Sequence, residues 1–341
     1  MNEFDFLKKL RELARDRADS SGLIKGIGDD AAVLKSLAGS GFVVSTDLLV
    51  EGIDFRLETT FPSFLGHKSL AVSLSDLAAM GARPRWALLS VGVPKHVWES
   101  GFIDQFYSGF FELAERYGVT LVGGDLSRTS DKIVIDSIAI GTCQSDNAVC
   151  RSGAKPGDQL YVTGFLGDAA AGLRLLDRGA RLHSEKITSA DIHSVDPLLL
   201  AQLRPEPRVG WGILLGEQRL ATSMIDVSDG LSSDLNHLCD ESDVGALVDA
   251  SLIPIDRLVT EICGRRALDP LMLALHGGED FELLFTVSPQ DVSRLPARVD
   301  GSPITRIGEI TEASQGVRIL EGSRTWDLEP GGWEHFRKDE G

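Results

Sequence analysis

Apolar runs cut by glycine and proline divide the chain into strands and helices. FVVSTDLLV (42–50), RWALLSVGVP (85–94), TLVGG (120–124) and KIVIDSIAIGTC (132–143) carry the β-branched, half-alternating pattern of strands. Between them, Ser63–Met80 and Gly101–Tyr117 read as helices. Pro62 opens the first, and Gly81 and Gly118 follow their ends, the expected placement of proline and glycine around a helix. After a loop near Ser145–Asn147 the mixture returns. Strands are predicted at QLYVTG (159–164), ATSMIDV (221–227), GALVDASLI (245–253), FELLFTV (281–287) and ITRIGEI (304–310). Helices are predicted at Asp168–Asp177, Pro197–Leu215 and Leu231–Asp240. The stretch within 178–196 is polar and aperiodic, which reads as an exposed insertion, and the first 17 residues read as an amphipathic helix with Phe6, Leu7, Leu10 and Leu13 on one stripe. No repeat of 20–50 residues recurs. The pattern predicts two mixed α/β halves, residues 1–147 and 148–341.

Composition adds constraints. With 43% hydrophobic and 25% charged residues the 341-residue chain builds a real core. A net charge of −17 repels nucleic acid and anionic lipid, so neither is an expected partner. No run approaches the roughly 18 apolar residues of a membrane span, and the charged N-terminus lacks a signal-peptide core. Cys143, Cys150, Cys239 and Cys263 have neither zinc-ligand nor disulfide-scaffold spacing. A reduced, cytoplasmic enzyme is the expectation.

The chemistry lies in where the acids fall. Between Thr59 and Trp98 the only carboxylate is Asp76, set in the small-residue helix AVSLSDLAAMGA. Either it faces water on that helix's polar edge, or it is buried and needs a partner such as a cation. Further acids stand beside glycine or a hydroxyl at strand ends: GIGDDAAVL, VVSTDLLVEGIDF, LVGGDLSR, MIDVSDGLSSD and HGGEDFELLF. Any one of these is an ordinary turn or helix cap. Together they suit hard divalent cations that bridge polyphosphate. There is no Walker loop, protein-kinase signature, GxSxG elbow or HExxH pair. GIGDDA matches GxGxxA, but the polar GLIK before it is a poor strand, and two aspartates repel a bare pyrophosphate.

These motifs, with SLSDLAAMGARP, GDQLYVTGFLGDAAAGL and a terminal GGWEHF, resemble the thiamine-monophosphate kinase family in order from Gly26 to Phe336. That family shares a superfamily with aminoimidazole ribonucleotide synthetase, selenophosphate synthetase and HypE. The resemblance implies a mixed α/β (α+β), two-domain synthetase-like fold. Its N-terminal β-sheet domain would bind ATP and Mg²⁺ and form a homodimer, and its C-terminal domain would be an α+β sandwich. It also implies phosphoryl transfer from ATP to thiamine monophosphate without a general base, assisted by several Mg²⁺ ions. By position, Asp30, Ser45, Thr46, Asp47, Asp76, Asp125, Asp226 and Asp229 match the metal ligands, Thr46 through its carbonyl or hydroxyl. Tyr107, Gly124, Asp125, Arg151 and Ser228 match ATP contacts. Asp54, Glu279 and Trp333 match the acceptor contacts, and Asp29 is left to cap a following helix. GGDLSR stands where the family often shows GGDTTR, so one hydroxyl beside Asp125 is absent. The alternatives are another ATP-dependent superfamily enzyme, of the aminoimidazole ribonucleotide synthetase or HypE type, and a nucleotide-binding regulator without catalysis. Selenophosphate synthetase is disfavoured, since no cysteine precedes Cys143.

Overall fold

The computed structural model describes residues 23–25, 28–35, 40–144, 147–185, 195–266 and 268–335. The amphipathic helix expected at the N-terminus lies outside them, as do residues 186–194 of the polar insertion. Six strands form the first sheet: β1 (Leu23–Lys25), β2 (Ala32–Lys35), β3 (Ser40–Val50), β4 (Arg83–Val93), β5 (Thr120–Arg128) and β6 (Val134–Gln144). Their order is β1-β2-β3-β6-β4-β5, antiparallel except for the β4/β5 pair. The GLIK segment, expected to be a poor strand, contributes β1. It pairs only with β2, at the sheet edge, so its backbone needs one partner and its side chains need no burial.

One face of this sheet is covered by α1 (Pro62–Ala79), α2 (Lys95–Trp98) and α3 (Phe102–Tyr117). Pro62 starts α1, and Gly81 at φ 66 ends it, with Ala82 N–H donating to the Leu77 carbonyl at 2.9 Å and Gly81 N–H to the Ala78 carbonyl. Fifteen of its 18 residues are buried, because the helix is packed on all sides. It crosses α3 at closest approach through Gly66 and Gly109. A Cβ on Gly66 would lie 1.8 Å from the Phe106 carbonyl oxygen, so no other residue permits this crossing.

The second sheet contains β7 (Gln159–Thr163), β8 (Ala221–Val227), β9 (Val244–Asp249), β10 (Glu282–Val287), β11 (Arg298–Val299), β12 (Ser302–Glu312), β13 (Val317–Glu321) and β14 (Arg324–Asp327). The order is β14-β13-β9-β12-β7-β10-β8, with β11 on β12 and only β9/β13 parallel. The helices of this half are α4 (Asp168–Asp177), α5 (Asp196–Leu203), α6 (Val209–Glu217), α7 (Leu231–Ser242), α8 (Arg257–Arg266) and α9 (Pro270–His276). The single helix expected over Pro197–Leu215 is two, α5 and α6. Pro205 and Pro207 remove backbone donors, and Arg204 at φ −143 leaves the helical region. Helices α8 and α9 and strands β13 and β14 were not expected.

The core does not stop at the boundary between the halves. Trp211 of α6 and Tyr161 and Phe285 of the second sheet pack in the same cluster as Leu70, Leu74 and Phe106. Helix α1 touches β3 and β6 on one side and β8 and α6 on the other. It is the element through which both sheets meet the site. No helix of the described residues is long and apolar enough to cross a membrane.

Candidate active site

Three chain segments bring a carboxylate each to one point. Asp30 comes from the loop before β2, Asp76 from the last turn of α1 and Asp226 from β8. One oxygen of each lies within 4.8 Å of the others. Burial pushes Asp226 up to about 8, with Asp30 adding repulsion. Asp76 is raised well above the ordinary carboxylate range, first by burial and then by Asp47, Asp226 and Asp30. Asp47 is raised to about 6 by burial. The lone acid of the small-residue helix is half-buried and turned to the other carboxylates.

Hydroxyls from α1 and β3 orient the cluster. Ser75 donates to Asp226 Oδ2 at 2.6 Å and Ser73 to Asp47 Oδ2 at 2.7 Å, while Ser45 donates to Asp76. Ser45 and Asp47 share the covered face of β3. Thr46 lies on the opposite face by the two-residue period of a strand, and its hydroxyl donates to Asp136 at 2.7 Å. The Thr46 hydroxyl expected among the metal ligands is therefore turned away, which leaves only its backbone for that role.

Arg151 closes one side. It pairs with Asp30 Oδ1 at 2.5 Å, and its N–H donates to Asp29. Asp29 also pairs with Lys25 at 2.9 Å. A strand, not a helix, follows it, so the expected capping role is replaced by these contacts. Asp30 keeps its other oxygen buried without a protein partner. That unsatisfied oxygen, within a cluster of mutually repelling hard oxygen donors, fits a divalent cation such as Mg²⁺.

The remaining expected residues fall in two groups. Gly124 and Asp125 lie on the exposed edge strand β5, and Asp125 accepts from Ser127 at 3.0 Å, outside the three-carboxylate cluster. Gly124 has φ 151, and a Cβ there would sit 1.9 Å from the Leu89 carbonyl oxygen, so a side chain cannot replace it. Tyr107 packs on α3 among Phe106, Phe110 and Phe111, and no hydrogen bond or ring contact joins it to the carboxylates.

On the other side of α1, the Ser228 carbonyl accepts from Glu279 N–H at 2.7 Å, and the Asp229 carbonyl accepts from Trp333 N–H at 3.0 Å. Trp333 is 54% exposed, with its ring in edge contact with His335. Asp54 accepts from Val50 N–H at 2.7 Å and is raised by burial. It lines a cavity of about 200 Å³ with Lys68, Gln202 and Leu176.

Sequence reasoning missed several participants. Asp234, raised well above its usual range by burial and by Asp229, accepts from Gly230 N–H at 2.9 Å and holds the loop carrying Asp229. Asp280 caps α4 through Gly167 and Ala169 N–H. Ser73 and Ser75 had a signal, since hydroxyls on an otherwise apolar helix need buried acceptors. Asp234 had a local signal, an acid in the first turn of a predicted helix four residues after Gly230. Asp280 stood among the acids marked beside glycine, but its cap partners on α4 are set by tertiary contacts.

Comparison with known proteins follows the same lines. The family model of AIR synthase related protein, N-terminal domain, matches residues 28–143, and the corresponding C-terminal domain model matches 155–321. The thiamine-monophosphate kinase of Buchnera aphidicola subsp. Schizaphis graminum is 37% identical over 98% of this chain and 99% of its own. That of Escherichia coli K12 is 39% identical over 94% and 95%. A solved structure of AaThiL complexed with AMPPCP and TMP aligns with TM-score 0.82 at 30% identity, covering 98% of this chain and 97% of that one. A HypE–HypF complex at 18% identity and TM-score 0.69 shares the fold.

Proposed function

The chain belongs to the thiamine-monophosphate kinase family, and from that premise we propose that it transfers the γ-phosphoryl group of ATP to a phosphate oxygen of thiamine monophosphate. The bond between the β,γ-bridging oxygen and the γ-phosphorus breaks, a new P–O–P linkage forms, and thiamine diphosphate and ADP leave. The observation that carries this reading is the convergence of Asp30, Asp76 and Asp226, with one Asp30 oxygen unsatisfied. A bound divalent cation such as Mg²⁺ would supply the charge neutralisation that lets two polyanionic phosphates approach one another. Asp30, Asp47, Asp76 and Asp226 would hold the ions, and Ser45, Ser73 and Ser75 fix carboxylate orientation. Asp125 and Asp229 complete the metal set, from the edge strand and the β8–α7 loop. No general base is required, since the acceptor phosphate is already an oxyanion.

Gly124, Arg151, Ser228 and Tyr107 take the nucleotide. Asp54 and Glu279 take the acceptor, and Trp333 offers its exposed face to the cationic thiazolium ring. The relative solved with AMPPCP and TMP supports both ligands. A homodimer is supported by the uncovered face of the first sheet, where Leu48 and Trp86 are 58% and 37% exposed, and by β5, where Val122 is 55% exposed. The proposed domains divide near residue 147, between β6 and β7. No disulfide joins the four cysteines, which supports a cytoplasmic setting. The test is a product assay with purified protein, ATP, Mg²⁺ and thiamine monophosphate. Thiamine diphosphate is expected, and its absence alongside turnover of another phosphate acceptor would overturn the reading.

A further inference from the structure

A lysine that none of these roles uses is buried in the wall of the acceptor cavity. Lys68, in the second turn of α1, is 3% exposed. Its Nζ lies 2.6 Å from Glu279 Oε1 and donates to the Gln202 carbonyl at 3.2 Å. The Gln202 side-chain amide donates to the other Glu279 oxygen. Both carboxylate oxygens are therefore gripped, one from α1 and one from α5.

Glu279 needs a grip. Its backbone sits at φ 65, a left-handed conformation that a glutamate adopts only when its surroundings hold it. An ammonium this deep is costly unless paired, and here Glu279 is its partner. Asp76 lies eight residues further along the same helix, about 12 Å at the rise of an α-helix. One rigid element thus carries both the metal-side acid and the anchor of the acceptor-side acid.

We propose that Lys68 is a positioning residue: it fixes the Glu279 carboxylate for the acceptor and ties that carboxylate to the helix that bears Asp76. The inference rests on the thiamine-monophosphate reading, and its test separates the two. Wild-type enzyme is assayed first with ATP, Mg²⁺ and thiamine monophosphate, and absence of thiamine diphosphate overturns both. Lys68→Met, Glu279→Gln and the double variant are then compared as full-length proteins, with circular dichroism and Tm recorded for each.

Lys68→Met is expected to raise KM for thiamine monophosphate about tenfold or more, because one charge-assisted contact is lost. KM for ATP stays within about twofold on the same argument. Adding Lys68→Met to Glu279→Gln should change little, because the lysine acts through that glutamate. An unchanged acceptor KM, an equal rise in both KM values, or losses that multiply in the double variant would overturn the inference while leaving the activity standing. Should Lys68→Met fail to fold, Gln202→Leu releases the other Glu279 oxygen and must raise the same KM. An unchanged value there overturns the grip.

Discussion

Burial pushes the Asp226 carboxyl to about 8, and Asp30 beside it adds repulsion. A carboxylate whose folded pKa lies above its unfolded value favours the protonated folded state. The stability of the metal-free protein therefore falls as pH rises from about 4 to about 8. Bound Mg²⁺ should remove that loss, so the rise in Tm on adding Mg²⁺ is expected to be larger at pH 8 than at pH 5.5. Equal shifts at the two values would remove the cluster as the site of binding. Asp226→Asn keeps an acceptor for Ser75 but removes the carboxyl that the folded state cannot readily ionise. It should abolish turnover yet stabilise the metal-free protein by on the order of 2 kcal/mol at pH 7, measured by urea unfolding in EDTA. Asp47→Asn should likewise abolish thiamine diphosphate formation with an unchanged circular dichroism spectrum, and wild-type activity would clear the STD motif of any metal role. The sequence marked these acids because each stands beside glycine or a hydroxyl in otherwise apolar surroundings. It did not say which way Thr46 faces, although strand alternation alone separates it from Ser45 and Asp47. Lys68 was illegible: a lysine between His67 and Ser69 reads as surface until both flanks of the helix are known to be covered.

Helix α1 was legible to within one residue at each end, since proline, glycine and a run of small apolar residues are all local signals. The break between α5 and α6 was not read, although Pro205 and Pro207 stood in plain view, because apolar periodicity on both sides disguised the interruption. That break has a function in packing. It turns the Pro205 carbonyl toward α1, where the His67 Nε2–H donates to it at 2.8 Å, with Nδ1 buried and without a partner. Burial lowers His67 to about 4, with Arg204 and Arg116 adding repulsion and Glu206 opposing it. The unfolded chain takes up this proton near the ordinary histidine value, the folded chain only near 4. Stability that is full above about 6.5 is therefore lost as pH falls through 4, up to about 3 kcal/mol from this one group. His67→Gln keeps a donor for Pro205 without a titrating ring. Its stability relative to wild type should improve as pH falls from 7 to 4.5, read from paired urea titrations. A constant difference would show that His67 is not the acid-sensitive joint between these helices.

The two sheets treat their faces differently, and this decides what the molecule does as a whole. In the first sheet α1, α2 and α3 cover one face only. On the other, Leu48 and Trp86 remain 58% and 37% exposed, with Phe42, Val44, Leu88, Ile138 and Ile140 half-buried between them. Edge strand β5 is exposed along most of its length and carries Val122 at 55% and Leu126 at 46%. A largely apolar face, interrupted by the Thr46–Asp136 pair and ending in an open strand edge, is a surface that a monomer seldom keeps bare. A second copy supplies a complementary face by two-fold symmetry without a new sequence. Gly124 and Asp125 lie on that same edge strand, so pairing there would also complete the nucleotide side of each site. Leu48 is the sharpest probe. Its side chain adds nothing to the protomer's own core, and Leu48→Glu would place two charges at a self-complementary contact. The variant should fold with a Tm within a few degrees of the metal-free wild-type protomer yet sediment at half the wild-type mass, and its KM for ATP should rise. Sedimentation at the wild-type mass would show that the open face is not the dimer contact, and a monomer with wild-type ATP affinity would show that each site is complete within one chain.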